Sequence, residues 1–310
     1  MEMVTFMSFL FLLFRQGAII VRCWGLQFHH TTFSGVDDTA DISIVTQSWY
    51  RGPDAQFGVS PDVSSSTGIW LTPIISTGSD PTHLGRIVFK DPYLFDPATT
   101  ASFQTSFIFQ IITTREYGEC GSGMAFFVSE SREAPNNSDS YGAFGLLDPN
   151  QGYTLAAPQE ASREATHFFA VEFDTRLHPI NRDPSASHIG IDIDSVISSN
   201  TTDTSAVSSS SFYPDLYFYN NSTFMAWIDY DFTSKMIQVR MINMNSSSTS
   251  TASSRRPMDP CLLYSYDLSA LFSGKYVFVG FSATSAPSTR GAEGHVIYAW
   301  NFSNEMGTES

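Results

Sequence analysis

Residues 171–194 read VEFDTRLHPINRDPSASHIGIDID and gather the side chains that bind cations. In an extended chain successive side chains alternate faces, so Glu172 and Asp174 share one face about 7 Å apart. Phe169, Val171 and Phe173 take the other face, toward a core. Two carboxylates side by side repel unless a cation or a proton neutralises them. Asp183 and His188 follow across a Pro-containing loop, with His188 opening the next run. Carboxylates with an imidazole suit a transition metal such as Mn²⁺, and carboxylates with a backbone carbonyl suit Ca²⁺. Two other readings stay open: a solvated acidic sheet face with His188 capping a loop, and a glycosidase carboxylate pair. The glycosidase reading is weakened because the next alternate position is Arg176.

The elements that must position these residues are short apolar or alternating runs. They lie at 85–91, 102–112, 123–129, 167–174, 188–194, 223–231, 235–242, 275–283 and 295–302, separated by Gly, Pro, Asn, Asp and Ser clusters. Such runs predict strands of an all-β antiparallel sandwich. No amphipathic helix stands out. The Ser/Thr-rich stretches 197–211 and 245–254 are expected to be surface loops within one domain.

Composition narrows the function. The 310 residues carry 16 Lys+Arg against 31 Asp+Glu, a net charge of -15. Nucleic acid and anionic membrane surfaces both need clustered cations and are excluded as partners. Aromatics at 14% mark a folded chain with a large core. Cys23, Cys120 and Cys261 are too few for a disulfide scaffold; Cys120 and Cys261 either pair or stay as separate thiols.

Val4–Phe14 has the length of a signal-peptide apolar region and ends at Arg15, too short to span a bilayer. Residues 1–25 are therefore expected to be a signal peptide and the product secreted. The sequons at Asn136, Asn200, Asn220, Asn221, Asn245 and Asn301 agree with export and glycosylation. Trp227 and Asp229 read as ordinary strand residues, and adjacent His29 and His30 as exposed polar ones.

The motifs ASFQTSFIFQI, GSGMAFFV, AVEFDT, DPSASHIGIDIDSVIS, AWIDYD, VGFSAT and HVIYAWNF carry a resemblance. In this order and spacing the chain resembles the legume-type (L-type) plant lectins, including the lectin-like ectodomains of plant receptor kinases. The resemblance implies a concanavalin A-like jelly-roll sandwich over residues 26–303, followed by a tail at 304–310. It implies a Mn²⁺ and Ca²⁺ pair beneath a loop-built sugar pocket, with no catalytic activity. The implied ligands are Glu172, Asp174, Asp183 and His188, with Ser198 acting through water. The backbone carbonyl of Arg176 joins the Ca²⁺ position. The implied sugar contacts fall at Ser122, Gly142, His178, Ala292 and Glu293.

Two positions depart from the family pattern. His178 stands where the family usually has an Asn that ligates Ca²⁺ and meets the sugar, and imidazole suits this hard ion poorly. Asn181 lies nearby but would substitute only with the loop rearranged, so it is not counted among the ligands. Ser122 stands where the family usually has an Asp after a cis bond. Serine forfeits charge-assisted bonds worth about 1.5–3 kcal/mol each. A non-proline cis bond costs about 2.5–4 kcal/mol, so Gly121–Ser122 is expected to be trans. The sequence thus supports a glycan- or glycoprotein-binding lectin module and, as an alternative, a recognition domain that has exchanged sugar for a protein or apolar ligand. A glycoside hydrolase on the same sandwich is the minor reading. A homodimer is expected, and the resemblance also allows a membrane-kinase region beyond this chain.

Overall fold

The computed structural model describes residues 26–30, 42–45, 68–74, 83–113, 121–135, 138, 142–148, 166–208, 215–245, 256–285 and 293–304. The expected signal peptide, Cys23, Cys120, Asn136, Ala292 and most of 245–254 lie outside them. In chain order the strands are β1 (Gln27–His30), β2 (Ile42–Val45), β3 (Ile69–Thr72), β4 (Leu84–Phe89), β5 (Tyr93–Leu94), β6 (Phe103–Thr113), β7 (Gly123–Ser129) and β8 (Phe168–Asp174). There follow β9 (His188–Ile193), β10 (Asn200–Asp203), β11 (Thr223–Asp231), β12 (Met236–Asn243), β13 (Leu262–Ser265), β14 (Tyr276–Thr284) and β15 (Glu293–Ser303). Short helices α1 (Thr204–Ser208) and α2 (Ser269–Phe272) complete the described elements. Every apolar run predicted as a strand is one.

The strands form two antiparallel sheets, a jelly-roll sandwich. One is seven-stranded in the order β1-β15-β6-β11-β12-β13, with β3 also paired to β15. The other is eight-stranded in the order β10-β9-β8-β7-β14-β4-β2, with β5 also paired to β14. Alternation on β6 sends Phe103, Phe107, Phe109 and Ile111 inward. They meet Phe126, Phe173 and Phe281 from the opposing sheet. Phe107 and Phe281 pack edge-on at 4.8 Å, and Phe281 does the same to Trp300 at 4.8 Å. Such geometry sets the positive ring edge against the negative face.

The seven-stranded sheet turns a mixed face outward. Asp229 there pairs with Arg240 at 3.1 Å and with Arg256, the ordinary strand role expected of it. Asn301 lies on the same face, between core-facing Trp300 and Phe302, and donates to Ser106 at 3.3 Å.

The outer face of the eight-stranded sheet is covered. Phe144, Leu146 and Leu147 pack on Val88, Ala125, Phe127, Phe168 and Ala170, a second small core. Arg86 fastens this cover. Its guanidinium donates to the carbonyls of Ser131, Arg132 and Gly145 at 3.1, 3.0 and 2.9 Å and lies 3.7 Å over the Phe127 ring. Strands β7 and β8 are therefore buried on both faces.

One expectation is corrected. The Ser/Thr-rich stretch 197–211 holds β10 and α1 rather than loop alone. β10 is an edge strand paired to β9, from Asn200↔Ile191 to Asp203↔His188. An edge strand tolerates polar residues, so its composition resembles a loop. Cys261 lies at the core margin with Sγ 3.3 Å from the Val239 carbonyl.

Phe107→Ala should cost about 3–5 kcal/mol, read as a shift in urea unfolding of the purified chain. A loss under about 1 kcal/mol would show that this ring does not join the sheets.

Candidate metal centre

Strands β8 and β9 pair with Glu172 opposite Gly190 and Asp174 opposite His188. Period-two alternation therefore puts Glu172, Asp174, His188 and Asp192 on the covered face of the sheet. Glu172 is 1% exposed, and Asp174, His188 and Asp192 are 0% exposed. The solvated acidic face is thus ruled out. Gly190 makes the room: a Cβ there would lie 2.1 Å from Ser198 Oγ and 2.3 Å from Glu172 Oε1.

The loop after β8 folds back over these groups. The Arg176 amide donates to Asp174 Oδ1 at 2.5 Å, and the His178 amide donates to Asp183 Oδ2 at 2.5 Å. Between them Pro179–Asn181 forms a 3-10 turn, closed by Arg182 in the left-handed region at φ 63°. Pro179 fits the start of that turn because its φ is preset and its missing N–H would have no partner there. The turn returns Asp183 beneath His178.

Two groups of donors result. In the first, Glu172, Asp174 and His188 offer atoms within 4.8 Å of one another. His188 Nε2 lies 3.1 Å from Glu172 Oε1 and 3.9 Å from Asp183 Oδ1, and its Nδ1 meets the Ser185 carbonyl at 2.9 Å. That outer contact fixes the ring as metal-binding histidines are usually fixed. In the second group, Asp174, His178 and Asp183 come equally close. His178 Nδ1 lies 3.5 Å from Asp174 Oδ2 and 3.3 Å from Asp183 Oδ2. Asp174 Oδ2 is buried, belongs to a residue shared by both groups, and accepts no hydrogen bond.

The residues fit a transition metal at the first position. An orphaned carboxylate oxygen in a dry site is costly without a cation. Burial raises the Asp174 carboxyl to about 7, with the two histidines opposing the rise and Glu172 adding to it. Burial disfavours charge on His178, but Asp174 and Asp183 outweigh it and bring the imidazole to about 9. His188 follows to about 10, against burial, through Asp174, Glu172 and Asp183.

Asp192 is a member that the sequence reading passed over. The Ser198 hydroxyl lies 2.6 Å from Glu172 Oε1 and 2.8 Å from Asp192 Oδ1. One hydroxyl proton serves one of these contacts, so the other needs a proton on a carboxyl. Burial and the adjacent Glu172 push Asp192 well above the usual carboxylate value. The alternation His188, Gly190, Asp192 was the signal that would have found it. Ser198 thus touches two carboxylates directly.

The positions expected to meet sugar are placed differently. Ser122 is 0% exposed, its Oγ accepts the Gly142 amide at 3.3 Å, and Asn181 Nδ2 donates to the Gly142 carbonyl at 3.1 Å. No cis bond occurs among the described residues, so Gly121–Ser122 is trans. Glu293 turns inward and is 0% exposed. Its Oε1 accepts from the Gly123 amide at 3.0 Å and Thr175 Oγ1 at 2.9 Å, and lies 2.9 Å from His295 Nε2. In this arrangement Glu293 ties β15 to β7 and to the start of the loop after β8.

The pH dependence of the metal-free chain follows from the two histidines. Their folded-state values of about 9 and 10 exceed the ordinary 6.5, so the stability they add is complete below pH 6.5. It is lost as pH rises through the folded values. Asp174, also raised, gives the same sign at lower pH. In chelator, the thermal midpoint should fall between about pH 6.5 and pH 10; a flat or rising profile would contradict the pairing.

The comparisons agree with this architecture. The legume lectin domain profile matches residues 26–310. An L-type lectin-domain containing receptor kinase of Arabidopsis thaliana is 32% identical over 226 residues, 71% of this chain and 27% of the kinase. The chain spans roughly a third of the length of the receptor kinases it matches. A galactose-binding lectin of Arachis hypogaea is 28% identical over 87% of this chain and 85% of its own length. Among solved structures, the Bauhinia forficata lectin in complex with GalNAc has a TM-score of 0.62 at 25% identity, covering 90% of this chain and 98% of that one. This chain belongs to the legume lectin domain family.

Proposed function

We propose that this chain is a non-catalytic carbohydrate-recognition module whose binding loops are set by a buried divalent metal. Glu172, Asp174, Asp183 and His188 hold a transition ion such as Mn²⁺, and Asp192 and Ser198 support Glu172. The observation that carries this reading is Asp174 Oδ2, buried without a hydrogen bond between two imidazole-bearing donor groups. When bound, the ion neutralises the carboxylates and fixes the 175–187 loop. The likeness to galactose- and GalNAc-binding lectins supports a glycan ligand. Glu172 and Asp174 are 1% and 0% exposed, which puts them out of reach of a glycosidic bond and argues against the hydrolase.

The module acts outside the cell, after removal of residues 1–25. Its glycans sit on the sequons, of which Asn220, Asn221 and Asn245 are on exposed turns. Among the described residues no helix is long and apolar enough to cross a membrane. Membership of a receptor, with a kinase region, and pairing as a homodimer remain part of the proposal.

A second reading has its own observation. Both polar groups of the Gly142 peptide backbone are already engaged, by Ser122 and Asn181, where the resemblance implies a sugar contact. Leu177 and Ile180, 47% and 59% exposed, stand on either side of His178 in sequence. That surface suits a protein or apolar ligand.

A glycan array probed with Mn²⁺-loaded chain, before and after chelation, separates the two. Glycan signal falling at least about tenfold in chelator is expected for the metal-shaped lectin. A silent array with metal retained selects the second reading, and a chain that retains no metal overturns the metal-shaped one. Gly190→Ala should weaken metal retention about 10–100-fold by displacing Glu172 and Ser198, measured by competition with a chromophoric chelator.

A further inference from the structure

We infer that the second position of the centre, built from Asp174, Asp183 and His178, takes a transition-metal ion in place of the calcium that the family resemblance implies. The inference rests on the metal-dependent reading above and concerns the identity of its second ion. Calcium seeks six to eight oxygen donors, and a neutral imidazole is a poor member of such a shell. Zn²⁺ and its neighbours accept imidazole with carboxylate readily.

The geometry makes the two positions chemically alike. Each has one imidazole nitrogen, from His188 or from His178, facing carboxylate oxygens. Asp183 serves both, with Oδ1 3.9 Å from His188 Nε2 and Oδ2 3.3 Å from His178 Nδ1. Asp174 belongs to both donor groups, and its Oδ2 is buried without a hydrogen bond. The separations of 3.3 and 3.5 Å around His178 Nδ1 bring its nitrogen and the two carboxylate oxygens close enough to share one ion. Shared carboxylates are also how paired metals are held at short range. Asn181 Oδ1, buried without a hydrogen bond, is an amide oxygen that either kind of ion accepts, so the imidazole decides.

The test is uptake by the untagged, chelator-stripped chain dialysed against Zn²⁺ and Ca²⁺ together, with bound metals counted by mass spectrometry. About two Zn²⁺ and under about a tenth of a Ca²⁺ per chain are expected. The His178→Asn variant should then hold about one Zn²⁺ and about one Ca²⁺. Wild-type chain holding one Zn²⁺ with one Ca²⁺, or one Zn²⁺ alone, overturns the inference while leaving the metal-dependent reading in place. So does a variant that still takes two Zn²⁺ and no Ca²⁺. Wild-type chain with no bound ion overturns both. If the variant does not fold, the wild-type count alone decides.

Discussion

The dominant constraint is charge in a dry place. Four carboxylates and two imidazoles converge on the covered face of the eight-stranded sheet, and Glu172, Asp174 and Asp192 are almost fully removed from water. Bare carboxylates tolerate such burial only when a proton, an imidazolium or a metal compensates. The chain answers part of this internally, through Ser198 between Glu172 and Asp192 and through the two histidines, and leaves Asp174 Oδ2 without a hydrogen bond. Much of the surrounding architecture serves this arrangement.

Burial there is not a by-product of the sandwich core. It needs a second apolar layer, from Phe144 to Leu147, laid over β7 and β8. Arg86 holds that layer by three carbonyls from two stretches of chain. The same layer begins at Gly142, whose backbone meets Ser122 and Asn181. The cover and the loop after β8 are therefore one hydrogen-bonded unit. Glu293 fastens a third strand to it through Gly123 and Thr175, so the start of β15 helps fix the loop that carries His178.

Most of the fold was legible because period-two alternation and turn residues are local signals. The runs at 223–231 and 123–129 coincide with β11 and β7. The gathering of Glu172, Asp174, Asp183 and His188 was also legible, since face-sharing on a strand and a short loop return are nearly local. What was not legible depends on long-range cover. Alternation alone cannot say whether the face of Glu172 meets water or Phe144. It gave no warning that Glu293, at the start of β15, would turn inward to Thr175, 118 positions away. β10 was hidden because an edge strand need not be apolar, and Asp192 because its partner across the strands is Ala170, with no charge to mark it.

Asn301 gives the seven-stranded sheet a different kind of significance. This sequon sits two residues before the end of β15, flanked by β1 and β6, with its side chain on the outer face. An oligosaccharide rooted there would stand over the flat of the sheet, with no loop tip to carry it away. A second copy of the chain seated on that face and a glycan at Asn301 would occupy the same volume. Attachment of one sugar tree would therefore decide whether this sheet presents itself to protein or to solvent.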